Sequence, residues 1–136
     1  MQEILTIDTP GRGFLDMTRN IEAVLESADA SSGVAHIFIQ HTSASLTVQE
    51  NADPDVQRDL LNWLDRMAPE DGNYLHTAEG PDDMPAHIKA AITSTSLSIP
   101  FAKGKLLMGT WQGVYLIEHR QAPHQRRIVV TLLSSG

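Results

Sequence analysis

Polar and apolar residues alternate from Glu3 to Asp8, which predicts a strand, and Pro10, Gly11 and Gly13 then break it. After Thr18, which reads as an N-cap, Ile21, Val24, Leu25 and Ala28 recur at helical spacing up to Ser31-Ser32-Gly33. Val34 to Gln40 is rich in β-branched and aromatic residues, which predicts a buried strand with faces Val34, His36, Phe38 and Ala35, Ile37, Ile39. His41 follows on the second face, at the strand's end. A short strand over Leu46 to Val48 precedes Asp53 as N-cap and Pro54 at the first helical position. The helix they open has the core stripe Val56, Leu60, Trp63, Leu64 and Met67.

Pro69 to Asp82 shows neither period, so it reads as a loop of a length that often carries function. A third helix is expected from Asp83 to about Ile92, with Pro85 tolerated in its first turn and Met84, Ile88 and Ile92 on one face. The remainder is β-like: Ser96 to Phe101, Leu106 to Thr110, Val114 to His119 and Ile128 to Leu133. Strands with short breaks and about three short helices predict one α+β domain with a largely antiparallel sheet core.

The 136 residues suffice for a single buried core. Ten basic against seventeen acidic residues give a net charge of −7, which argues against generic nucleic-acid binding. No apolar run is long enough to span a bilayer and no secretory signal opens the chain, so no membrane partner and a cytoplasmic location are expected. Without cysteine, any metal must rest on histidine and carboxylate.

Four clusters carry candidate chemistry. His41-Thr42-Ser43-Ala44-Ser45 ends a buried strand, where side chains reach a cleft, but no G-x-S-x-G elbow supports a serine hydrolase. Glu50 to Asp55 alternates oxygen ligands, yet an EF-hand fails at Val56 and Asn62, leaving Asp53 as a helix cap that can aim Asn51 into a cleft. His76 lies in the long loop and His87 one turn past Asp83 near a helix N-terminus, which disfavours the imidazolium and suits a metal ligand or neutral base. With His41 they make three imidazoles, enough for zinc with an open position. Finally, Gly109 to Gly113 and Glu118-His119-Arg120 place polar groups at both ends of an apolar strand. Arg120 either pairs with Glu118 or presents its fork to phosphate or carboxylate. His36, His119 and His124 read as structural or exposed.

HTSASLTVQENADPDV (41–56), GNYLH (72–76), EGPDDMPAHIKA (79–90), GTWQGVYLIEHR (109–120) and RRIVVTL (126–132), in this order, resemble the YjbQ-like family over nearly the whole chain from about Gly13. The resemblance implies an α+β homotrimer with a weak, secondary thiamine-phosphate synthase activity, joining a pyrimidine pyrophosphate to a thiazole phosphate. It places the polar pocket on His41, Thr42, Asn51, Asp53, His76, Asp82, His87, Thr110, Gln112, Glu118 and Arg120. On that basis His41, Asp53, His87 and Glu118 are the catalytic candidates. Thr42, Asn51, Thr110, Gln112 and Arg120 are the substrate-binding candidates, and His41, His76 and His87 the metal ligands. A divalent ion, zinc or magnesium, is the expected cofactor, and a phosphorylated or other anionic small molecule the expected ligand. In the case of magnesium, Asp53, Glu118 or Asp82 is the expected holder. The rival reading is a non-enzymatic ligand-binding or structural homotrimer.

Overall fold

The computed structural model describes residues 1–135. Eight strands form two wholly antiparallel sheets. The larger has the order β1 (Gln2–Thr9), β8 (His124–Ser134), β3 (Ser32–Ile39), β5 (Ser96–Ala102), β6 (Lys105–Leu106). The smaller has the order β2 (Gly13–Asp16), β7 (Gln112–Glu118), β4 (Ala44–Glu50). Three helices complete the fold, α1 (Thr18–Ala28), α2 (Pro54–Met67) and α3 (Asp83–Ile92).

The core follows from strand alternation. Ala35, Ile37 and Ile39 of β3 meet Ile128, Val130 and Leu132 of β8, Ile99 and Phe101 of β5, and Val114 and Leu116 of β7. Ile21, Val24 and Leu25 bring one face of α1 into the same cluster. Strand β7 is buried on both faces, which is why it reads as a near-continuous apolar run. Tyr115, Ile117 and, just past its end, His119 face away from that core, toward the side where Leu64 and Ala68 of α2 and Ala86 and Ala90 of α3 are buried.

Several details depart from the periodic reading. Helix α1 starts one residue earlier than the cap reading implies, with Thr18 as its first helical residue. Thr18 N–H donates to Asp16 Oδ1 at 2.9 Å, and Thr18 Oγ1 accepts from Val114 N instead of capping. Strand β2 is too short to show a period. The strand expected over Leu106 to Thr110 stops at Leu106. Leu107 N–H still donates to Pro100 O at 2.8 Å, but Pro100 has no N–H to return the bond, so the ladder ends. Of the α2 stripe only Leu64 is buried, while Trp63 is 45% and Met67 56% exposed. Helix α3 turns Asp83, Ala86, Lys89 and Ala90 inward, leaving Met84 and Ile88 half-buried and Ile92 exposed on a different face.

One ion pair joins the two sheets. Glu118, fully buried at the end of β7, accepts from Arg126 Nε at 2.7 Å and Nη2 at 2.5 Å on β8, and from Thr9 Oγ1 of β1 at 2.7 Å. Burial alone would raise the pKa of Glu118, and the hydrogen bonds from Arg126 and Thr9 outweigh it, holding the carboxyl below its ordinary value. Removing one partner strands the other charge. Glu118→Ala should therefore cost about 3–5 kcal/mol; a urea unfolding midpoint equal to wild type would contradict this.

Candidate functional site

The first turns of α3 gather most of the polar side chains. Asp83, almost wholly buried, turns Oδ2 toward two imidazoles, His76 Nε2 at 2.6 Å and His87 Nε2 at 3.1 Å. Glu79 lies 3.5 Å from His76. One donor atom from each of His76, Glu79, Asp83 and His87 lies within 4.8 Å of all the others. Asp83 and His87 are one helical turn apart on one face, as their spacing predicts. The loop delivers His76 because Arg120 ties it down, donating to Glu79 O at 3.0 Å, Asp82 Oδ2 at 3.1 Å and Asp83 Oδ1 at 2.7 Å. Burial works to raise the Asp83 pKa, but the His76 hydrogen bond and the charges around it hold it below the ordinary carboxylate value.

The tautomer of His87 bears on what the cluster accepts. Its Nδ1 lies 2.8 Å from Thr42 O, and a carbonyl only accepts, so Nδ1 carries a proton. A neutral His87 then points the Nε2 lone pair at a carboxylate oxygen. A cation between them, a proton or a metal ion, relieves the clash, so the donor set fits a metal. Two imidazoles with carboxylates suit zinc better than magnesium.

His41 is held elsewhere. Its Nε2 accepts the Arg127 backbone N–H at 2.9 Å, so a neutral ring carries its proton on Nδ1, which lies 3.4 Å from Arg126 Nη1. Burial and the Arg126 charge keep the imidazole neutral by lowering its pKa. His41 and Thr42 do share a shallow apolar hollow of about 220 Å³ with His87, Ala90, Ala91 and Thr95. Thus His41 and His87 face one concavity, while the group that could hold a metal ion is His76, Glu79, Asp83 and His87.

Asn51, Asp53, Thr110 and Gln112 gather at the opposite end of β7. Asn51 Nδ2 donates to Gln112 O at 3.3 Å, Gln112 Oε1 accepts from Gly109 N at 2.8 Å, and Asp53 Oδ1 caps α2 through Asp55 N at 2.9 Å. Thr110 is exposed beside them. Six residue steps along β7 separate Gln112 from Glu118, about 20 Å, so one chain does not bring these groups to the histidines. Glu118 is locked to Arg126, and Asp82 to Arg120 and Gln121 N, so both carboxylates are already engaged.

Reading along the chain missed Arg126, which no motif linked to Glu118 or His41, and the buried Ser45–His119 pair at 2.8 Å. The i, i+4 spacing of Asp83 and His87 was the one local signal of the cluster. What these features define is a class, an antiparallel two-sheet α+β domain carrying an imidazole–carboxylate cluster at the mouth of a shallow hollow. Residues 3–135 match the family described as UPF0047 protein YjbQ-like, and the chain belongs to it. It is 52% identical over 130 residues to a UPF0047 protein of Synechocystis, covering 95% of this chain and 88% of that one. It is 45% identical over 132 residues to the UPF0047 protein YjbQ of Escherichia coli O157:H7, covering 96% of each. A conserved hypothetical protein of Thermus thermophilus has the same fold, with a TM-score of 0.87 at 38% identity, covering 96% of this chain and 99% of that one. Among the described residues no helix is long and apolar enough to cross a membrane.

His119 gives this region a pH signature. Burial, then the Lys89 charge, pushes its pKa from 6.5 down to about 3. Below pH 6.5 the unfolded chain takes up this proton and the native chain does not, so stability falls as pH drops from 6.5 toward 3. His119→Gln should flatten the stability slope between about pH 6.5 and 5, where carboxylates do not yet titrate. Chemical denaturation across that range checks this, and an unchanged slope would contradict it.

Proposed function

We propose that this chain is a small metal-dependent enzyme that acts on a phosphorylated or other anionic small molecule, with weak thiamine-phosphate synthase activity as a secondary reaction. The observation that carries this reading is the convergence of His76, Glu79, Asp83 and His87 beside a hollow that His41 and Thr42 also line. In the secondary reaction a thiazole nitrogen attacks the pyrimidine methylene carbon, and pyrophosphate leaves with the bonding pair. No proton needs to move. A bound divalent ion would supply positive charge where the leaving pyrophosphate gains negative charge.

The protein's own residues supply the positioning. His76 and His87 offer nitrogens, Asp83 an oxygen, and the Thr42 carbonyl fixes the His87 tautomer. Arg120 orients Asp82 and Asp83 with its guanidinium and so acts through the cluster. Neutral His41 and the apolar floor of Ala90 and Ala91 keep the hollow poor in competing charge.

The homotrimer belongs to this proposal. The exposed side of the larger sheet carries Ile4 at 47%, Phe38 at 43% and Leu133 at 60% exposure, an apolar face that a second copy would cover. A neighbouring copy can also bring the Asn51–Gln112 end of its smaller sheet to the histidines, which one chain cannot. Light scattering at micromolar concentration should give three times the 14.9 kDa chain mass. A monomer mass would remove both the assembly and the composite site.

Zinc titration into metal-free protein followed by calorimetry tests the centre. Asp83→Asn and His76→Ala should each weaken binding by about 10-fold or more. Turnover of pyrimidine pyrophosphate with thiazole phosphate should fall in the same variants. Equal zinc affinity in wild type and both variants would refute the metal centre. Turnover no greater than background in metal-loaded wild type would leave the non-enzymatic ligand-binding trimer as the better reading.

A further inference from the structure

A second cleft of about 430 Å³ opens on another face of α3. It is lined by Arg12, Asp65, Glu70, Asp82, Lys89 and His119, with Pro85 and Gln121 between them. Asp82, Pro85 and Lys89 fall within one narrow arc of α3, roughly 100° or more around the axis from Asp83 and His87, so this cleft is separate from the imidazole–carboxylate cluster. Its volume lies in the range of small-molecule sites.

Two buried groups on its wall have unused capacity. Lys89, with a side chain only 6% exposed, donates to Asp65 Oδ1 at 2.8 Å, and among the described residues that is its one side-chain partner. An ammonium has three donors, and leaving them unmet in a buried position is costly. His119 is 2% exposed and bonds Ser45 Oγ through Nε2, while Nδ1 has no partner among the described residues. Fully buried side-chain nitrogens and oxygens among those residues all have partners, so Nδ1 is the ring atom that the cleft reaches.

Arg12 also binds Asp65 Oδ1, so a single half-exposed carboxylate oxygen bridges two cations. Burial works to raise the Asp65 pKa and the Lys89 and Arg12 hydrogen bonds more than offset it, so this carboxylate stays ionised. The carboxylates on the opposite wall are already partnered, Asp82 by Arg120 and Gln121, Glu70 by Gln121 Nε2 at 2.8 Å. We propose that this cleft is a binding site for a small oxyanion, phosphate or carboxylate, which displaces Asp65 and takes the donors of Arg12 and Lys89 beside His119. Asp65 then swings to solvent and acts as an internal competitor for the site. Glu70 and Asp82 favour ligands with a hydroxyl or amino group on the far side. The inference does not depend on the metal reading, because this cleft shares no residue with the cluster of His76, Glu79, Asp83 and His87.

The test uses the full, metal-free chain with inorganic phosphate in one arm and malonate in the other, followed by calorimetry and by the histidine ring signals in NMR spectra. Binding should saturate and move the His119 ring signals, with those of His76 and His87 still. Asp65→Asn removes the competing charge while its amide oxygen still accepts from Lys89, and should bind about 10-fold tighter than wild type. Arg12→Gln, at a partly exposed position, should bind about 10-fold weaker. Binding of phosphate alone or of malonate alone supports the site and names its ligand. The proposal is overturned if Asp65→Asn shows no saturable binding of either anion at millimolar concentration, or if the shifts fall on His76 and His87 and spare His119.

Discussion

The buried pair of Glu118 and Arg126 is the contact on which the rest of this structure depends. Glu118 ends β7 of the smaller sheet, Arg126 lies near the start of β8 in the larger one, and Thr9 of β1 closes the group. Two charges at this depth are costly unless every lone pair and N–H is met. Here Arg126 Nη2 also reaches Ser43 O and Oγ, Nη1 lies beside His41, and the Arg120 N–H reaches the second carboxylate oxygen. The pair therefore sets how the sheet ends meet, and with that where Arg120 leaves the strand and where His41 rests against the Arg126–Arg127 backbone.

From this junction the polar architecture spreads into α3. Arg120 clamps Asp82, Asp83 and the Glu79 carbonyl, which turns a loop without periodicity into a defined wall carrying His76. Helix α3 then presents different chemistry around its axis. Asp83 and His87 face the cluster, Lys89 faces the second cleft, Ala86 and Ala90 pack inward, and Met84, Ile88 and Ile92 face outward. A helix this short is marginal alone, so its placement comes from these tertiary contacts.

The net negative charge conceals how the basic residues are used. Arg12, Lys89, Arg120 and Arg126 all pair with carboxylates, and all but Arg12 are mostly removed from solvent. The cations thus order the interior and its clefts, where weak screening makes each pair count for more than on the surface.

Local pattern determined much of this protein. The period of two in β1 and β3, the Asp53-Pro54 start of α2 and the i, i+4 pair of Asp83 and His87 all depend on neighbours a few residues away, so they are legible along the chain. The resemblance carried by the HTSASLTVQENADPDV and EGPDDMPAHIKA segments added the family and the α+β class. Tertiary structure alone decided which polar residues meet. His76 finds Asp83, Glu118 finds Arg126, and Lys89 finds Asp65 because sheet pairing and packing close those distances. The same packing holds Asn51 and Gln112 a strand's length from the histidines and sets His41 against Arg126 and the Arg127 backbone. Side-chain periodicity says which face a residue occupies, and only the assembled sheets decide what stands opposite that face.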